Sequence, residues 1–332
     1  MAPRCECWNR SRPHNFLDNN WESCIFKEVR KDCCGGGIGL FGLFIINMSV
    51  SLEALKTLRD LSGAGMSDCK KALEQCGNDI DSAMKYLREK GIASASKKAD
   101  REMKEGICGF MISGGKATAI KLACETDFVV KNDKFRVLSS EILKALGGNN
   151  AENLEDAKNV KLASDVVISD EIAATIGIIG ENIALTQYKQ ISGEILCSYV
   201  HTSMGEGFGR IATCLAIKSN GNAEKITQIG NQICMHIAAA NPTFLKTEDV
   251  SEEFIRSEKE IYTKQMEGSG KPANIIEKIV EGKLTKTYQD CVLLEQPFVI
   301  DPTLKVKEFI TKIAKELGCD IEITDFIRVA VA

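Results

Sequence analysis

The side chains able to do chemistry in this 332-residue chain are few or poorly placed for it. Its three histidines, His14, His201 and His236, fall in different segments, so neither a Ser/His/Asp order nor an HExxH helix can be assembled from them. Of fourteen cysteines, five (Cys5, Cys7, Cys24, Cys33, Cys34) crowd into the first 47 residues. No CxxC pair or Cys/His ladder occurs, so the spacing of a zinc site is missing. Cys108, Cys124 and Cys214 stand singly in apolar stretches and suit buried thiols in a reducing compartment. Cys69 lies beside lysines, but a cysteine nucleophile needs a base within reach and none is adjacent. Gly37 to Gly42 satisfies GxGxxG without the βαβ unit that a dinucleotide needs, and Ser113-Gly114-Gly115-Lys116 misses the phosphate-loop spacing. The expectation is a binding protein, not an enzyme, with no metal and no cofactor.

Composition limits the partners. The net charge is −4 and aromatics make up 6% of residues, so neither a basic field nor a stacking surface argues for nucleic acid. The apolar run IGLFGLFII is too short to span a bilayer, so no membrane partner is expected. Residues 1–47 hold both tryptophans and keep no amphipathic period, and are expected to be a flexible upstream extension. Glu6, Asp18 and Glu22 argue against a transit peptide, which favours a bacterial cytosol.

Orderly signals begin after Met48. Ser51 can cap a helix with Leu52, Leu55, Leu58 and Leu61 at every third position. Gly63-Ala64-Gly65 breaks it, Ser67 caps a second helix, and Asp79 starts a third that Gly91 stops. Residues 48–92 are thus predicted to form a three-helix bundle, and 93–105, crowded with lysine and small residues, a linker or frayed helix. Two β-rich runs flank Ser113 to Lys116 as a hairpin, and Thr126 is placed to cap a helix carrying Phe135, Leu138, Ile142 and Leu146. A further helix is expected within 170–188. A second hairpin (EILCSYVHTS, then RIATCLAIKS around an MGEGFG turn) precedes a helix from Ala223 to Ala240. Hairpin then helix, twice, predicts an α+β core in two subdomains, 106–188 and 189–332, built from a duplicated unit. Residues 251–266 and 274–289, around EGSGKP, fit an inserted antiparallel coiled-coil hairpin at about 251–289, and IEITDFIRVAVA should return as a strand to a second sheet.

Within this frame ETDFVVKN, residues 125–132, is unusual: an acid and a phenylalanine stand side by side where strand gives way to helix. Spacing alone favours burial of Phe128, seven residues before Phe135, with Asp127 as a first-turn acid facing the helix dipole.

The run LRDLSGAGMSDCKKALEQCGNDIDSAMKYLREKGI resembles the N-terminal module of the bacterial elongation factor Ts family, and ETDFVVKN resembles that family's other signature. MHIAAANPTFL, GKPANIIEKIVEGK, EQPFVIDP and FIRVAV follow in the family's order, so the resemblance covers essentially 49–332. It implies a guanine-nucleotide exchange factor for the GTPase elongation factor Tu, with an N-terminal helical domain of ubiquitin-associated (UBA) type. It implies no direct nucleotide binding by this chain. It also implies that Asp127 and Phe128, with Thr126 and Val129 beside them, disturb the partner's Mg²⁺ and phosphate region, reversing the preference for a buried Phe128. Arg59, Met66 and Lys70 match the motif that docks on the partner's nucleotide domain. Ser67 stands where a second methionine is common. His201 matches a contact position, though the loop after it, TSMGEGFGR, is longer than usual. A dimer of heterodimers stays open. So do two rivals: a UBA-like scaffold protein, predicting activity in isolated residues 51–92, and an RNA-binding adaptor using residues 97–104, predicting steep salt dependence.

Overall fold

The computed structural model describes residues 50–205, 207–266 and 272–331. The expected extension at 1–47 lies outside the described residues, as do most of the EGSGKP turn and Glu206 of the second hairpin loop.

Three helices open the described chain: α1 (Leu52–Ser62), α2 (Met66–Gln75) and α3 (Ile80–Lys98). Ser51 and Asp79 cap α1 and α3 through their side chains, accepting from Ala54 N and Ser82 N as their residue types predict. Ser67 does not cap α2, which starts two residues earlier than such a cap would set, at Met66 behind Gly65, with no side-chain cap bond. Of the four leucines spaced by three, Leu55 and Leu58 are buried, whereas Leu52 and Leu61 are exposed. Three residues turn about 300° on a helix, so each step drifts about 60° and the ends of a four-member run leave the shared face.

Gly91 does not stop α3, which continues to Lys98 and carries the first part of the expected linker as helix. It serves instead for close packing against α7 (Ile168–Ile179). A Cβ built on Gly91 would sit 3.2 Å from Ala173 O, and one on Gly177 only 3.0 Å from Gly91 Cα. The bundle's small core, Leu55, Leu58, Ala64, Cys69, Ala72, Leu73 and Ala83, is therefore supplemented by the α3–α7 contact. A cavity of about 270 Å³ opens at this junction, lined in part by Leu61, Met84, Leu87, Ala174 and Ile178.

The remainder is mixed α and β. Strands β1 (Glu105–Ser113) and β2 (Lys116–Cys124) form the first hairpin, and β4 (Ile195–Gly205) and β5 (Phe208–Ser219) the second. Strand β3 (Ile183–Ser192) pairs with β2, and β6 (Ile321–Ala330) with β5. All six belong to one sheet, joined by antiparallel β1–β5 pairing at Cys108↔Gly209 and Gly109↔Phe208; the return strand does not enter a separate second sheet. Gly109 permits the join, since a Cβ there would lie 2.3 Å from the Phe208 ring. Between the two strand groups lies a layer of small residues, including Ala117, Ala119, Ala212, Cys214 and Ala216.

Helices cover the strands. On one side α4 (Asp127–Val130), α5 (Asp133–Gly147), α6 (Leu154–Lys158) and α7 pack around Ile120, Leu122, Phe135, Ile142 and Leu146. On the other, α8 (Ala223–Ala240) packs with Leu215, Ile217, Phe298 and α11 (Val306–Leu317), a helix for which the sequence carried no assignment. Helix α8 has the predicted bounds and ends at Asn241, which adopts φ 51°. Helices α9 (Glu252–Met266) and α10 (Ala273–Cys291) pack on each other through Tyr262 Oη to Thr287 Oγ1 (2.8 Å) and Lys283 Nζ to Gln265 Oε1 (2.7 Å). No described helix is long and apolar enough to cross a membrane.

His236 of α8 is buried and holds the loop that carries Val299. Its Nδ1 accepts from Val299 N–H at 3.2 Å, so the proton sits on Nε2, which donates to Gln296 Oε1 at 2.9 Å. Burial lowers its pKa below the usual imidazole range, against the raising influence of Gln296. The unfolded chain therefore takes up this proton first as pH falls, and stability present above about pH 6.5 is lost on acidification toward the lowered folded value. We expect the urea midpoint to drop between pH 7 and pH 5.5 in the native sequence, and this drop to be largely absent from His236→Asn.

Candidate functional site

The expected long helix starting at Thr126 is two helices. Helix α4 is a single turn ending at Val130, and Asn132 caps α5 afresh, its side chain accepting from Lys134 N at 2.9 Å. Because the chain breaks at Lys131 and Asn132, Phe128 and Phe135 share no helix face. Phe135 is fully buried, whereas Phe128 is 77% exposed. The reading from spacing alone, that Phe128 joins the core, fails for this reason.

The turn is anchored from below. Val129 and Val130 are 3% and 4% exposed and enter the core beside Phe135 and Leu138. Thr126 is the backbone N-cap of α4, but its side chain makes no cap bond; the hydroxyl donates instead to Glu181 Oε1 at 3.0 Å. Asp127 is half exposed and meets Lys131 Nζ at 2.7 Å, and that ammonium holds its carboxyl below the usual range. Lys131 Nζ also lies 5.8 Å from the centroid of the Phe128 ring. An ion pair this open to water is weak and readily exchanged for another partner. The turn thus presents a large apolar ring and an ionised carboxylate on a base that cannot retreat.

Arg59, Met66 and Lys70 are all exposed on the bundle. Met66 opens α2 directly after Gly65, and Lys70 makes a loose pair with Glu74 at 3.8 Å. The loop before Met66 is tied to the ETDFVVKN region by Lys134 Nζ, which donates to Gly63 O at 3.2 Å. His201 stands exposed on β4, 3.3 Å from Tyr199 Oη, with no comparable tie among the described hydrogen bonds. Sequence reading missed the roles of Lys131 and Glu181. Lys131 could have been found from its i,i+4 spacing to Asp127. Glu181 could not, because 55 residues separate it from Thr126.

Buried thiols are not reactive groups here. Burial pushes Cys108, Cys124 and Cys214 up to about 12 and Cys197 to about 11, leaving them protonated at neutral pH. Among the described residues no group of three or more His, Cys, Asp or Glu side chains is arranged to hold a metal ion.

The Elongation factor TS family model matches residues 125–332, and the UBA/TS-N domain model matches residues 50–87. Among similar proteins, elongation factor Ts of Orientia tsutsugamushi (strain Boryong) is 40% identical over 83% of this chain and 90% of its own. That of Ehrlichia ruminantium (strain Welgevonden) is 38% identical over 84% and 98%. That of Paramagnetospirillum magneticum is 37% identical over 85% and 91%.

Proposed function

The chain belongs to the elongation factor Ts family, and from that premise we propose that it is a guanine-nucleotide exchange factor that binds elongation factor Tu holding GDP and hastens GDP release. The observation that carries the mechanism is Phe128, exposed on a turn whose next two residues are locked in the core. Exchange requires a partner state that holds nucleotide and Mg²⁺ poorly, and this chain must bind that state best. By linkage, nucleotide then weakens the protein complex by the same factor. Each tenfold loss of nucleotide affinity needs about 1.4 kcal/mol of coupling, which one buried aromatic can supply.

In this reading Phe128 is a wedge that loses water only when it enters the partner, close to the site where Mg²⁺ and phosphate are held. Asp127 gives up Lys131 and competes for polar groups there. Thr126 and Val129 set the turn's height above the core. Arg59, Met66 and Lys70 dock the bundle on the partner's nucleotide domain, and His201 adds a contact from the second hairpin. We read 48–92 as the docking domain, 106–188 and 189–332 as two subdomains from a duplicated hairpin-and-helix unit, and α9–α10 as a coiled-coil arm. The setting is bacterial translation in the cytosol, and the work is binding, with no bond made or broken by this chain.

Release of a fluorescent guanine nucleotide from elongation factor Tu tests the proposal. The chain should accelerate release at substoichiometric amounts, and excess GDP should dissociate the protein complex. Release at the spontaneous rate with saturating chain would refute it.

A further inference from the structure

A single loop grips both elements assigned to the partner. Gly180 ends α7 with φ 88°, and the next two residues turn back toward β1, β2 and the end of α3. Glu181 Oε1 accepts from Thr126 Oγ1 at 3.0 Å, and Asn182 N donates to Glu125 Oε1 at 2.6 Å. The buried Asn182 side chain donates from Nδ2 to Ala99 O at 3.3 Å and to Arg101 O at 3.2 Å, on the chain leaving α3. Arg101 closes the ring by reaching Glu125 Oε1 at 3.4 Å. Two adjacent residues thus hold both places: the Glu181 side chain holds Thr126, while Asn182 holds Glu125 through its backbone N–H and the exit of the helical bundle through its side chain. Glu181 Oε2 is buried with no protein partner among the described residues, a cost that a carboxylate retained only for packing would not need to carry.

We propose that Glu181 and Asn182 are positioning residues: they fix the turn bearing Phe128 and set it relative to the bundle, so that the wedge arrives already ordered. The proposal rests on the exchange reading for its functional consequence, but not for the restraint itself. A wedge held in place spends little conformational entropy at insertion, so loosening it should slow the step in which nucleotide is lost more than it weakens docking. Glu181→Gln keeps an acceptor for Thr126; Glu181→Ala removes it.

Two measurements decide it. In the chain alone, hydrogen exchange of the Lys131 and Asn132 amides, bonded to Asp127 O and Val129 O, should speed up about tenfold or more in Glu181→Ala, with β2 and α7 unchanged. With elongation factor Tu, the maximal GDP-release rate should fall about tenfold while the half-saturating concentration stays within about twofold. Glu181→Gln should restore both, and Glu181→Ala should add nothing in a Phe128→Ala background, since one residue acts through the other. Unchanged amide exchange, or effects of Glu181→Ala and Phe128→Ala that simply add, would overturn it. If Glu181→Ala does not fold, Thr126→Val breaks the same bond from its other end and is read the same way. If the native chain itself leaves GDP release unaltered, the exchange reading fails, while the amide data still decide whether this loop restrains the turn.

Discussion

Phe128→Ala is expected to slow GDP release from elongation factor Tu about thirtyfold, the equivalent of losing about 2 kcal/mol of contact made only in the exchanging complex. The stability of the chain should change by less than about 0.5 kcal/mol, because the ring is 77% exposed and little water-accessible surface is lost with it. That combination separates a wedge from a core residue. A large loss of stability without a specific loss of exchange would mean that the ring supports the fold. Val129 and Val130 should keep the truncated turn in place, so the variant remains a fair test of the side chain.

Phe135→Ala makes the opposite prediction from the same chemistry. Phe135 is among the largest fully buried side chains and packs in the core with Leu122, Leu138 and Ile142. Removing its ring should cost about 3–5 kcal/mol through lost burial and an unfilled cavity. The denaturant midpoint should fall accordingly, while the fraction that remains native keeps its exchange rate within about threefold, since Phe128 and its anchors are intact. Two phenylalanines seven residues apart should thus divide function and stability between them. Comparable stability losses in the two variants would contradict the division.

That division was not legible from spacing, although much around it was. Caps are local, and Ser51, Asp79 and the Asn241 terminus of α8 could be read directly because one side chain or one backbone conformation decides each. The Ser113–Lys116 hairpin was equally local. What failed depended on interruptions. The helix break at Lys131 and Asn132 put Phe128 and Phe135 on different elements, and the local signal for it, Asn132 as a cap residue type, is passed over when one helix is run from Thr126 through Phe135. The helix expected within 170–188 is α7, which ends at Ile179, and β3 from Ile183 carried no strand assignment. The β2–β3 register slips between Lys121 and Leu122, so the buried face of Ile183 and Leu185 continues at Tyr188, an odd step away, while Ile191 enters the other core layer. A single bulge therefore disguised the alternation that marks a strand. Gly91 was read as a helix stop because glycine usually weakens helices; its role in packing against α7 needs a partner 82 to 86 residues away in sequence.

Of the candidate site, residue types carried the exposed turn only with help from the ordered family motifs. The turn is held at three points: Val129 and Val130 resist its withdrawal, Lys131 pairs with Asp127 and lowers its carboxyl pKa, and the loop at Glu181 and Asn182 holds its root. The tie from Lys134 to Gly63 further places the loop before Met66 beside the same region.

The most direct test is a crystal structure of this chain bound to nucleotide-free elongation factor Tu. The account predicts the Phe128 ring wholly buried in the partner, with Asp127 parted from Lys131 and both residues against the region that had held Mg²⁺ and phosphate. A complex in which the ring still faces solvent, away from the shared surface, would contradict it.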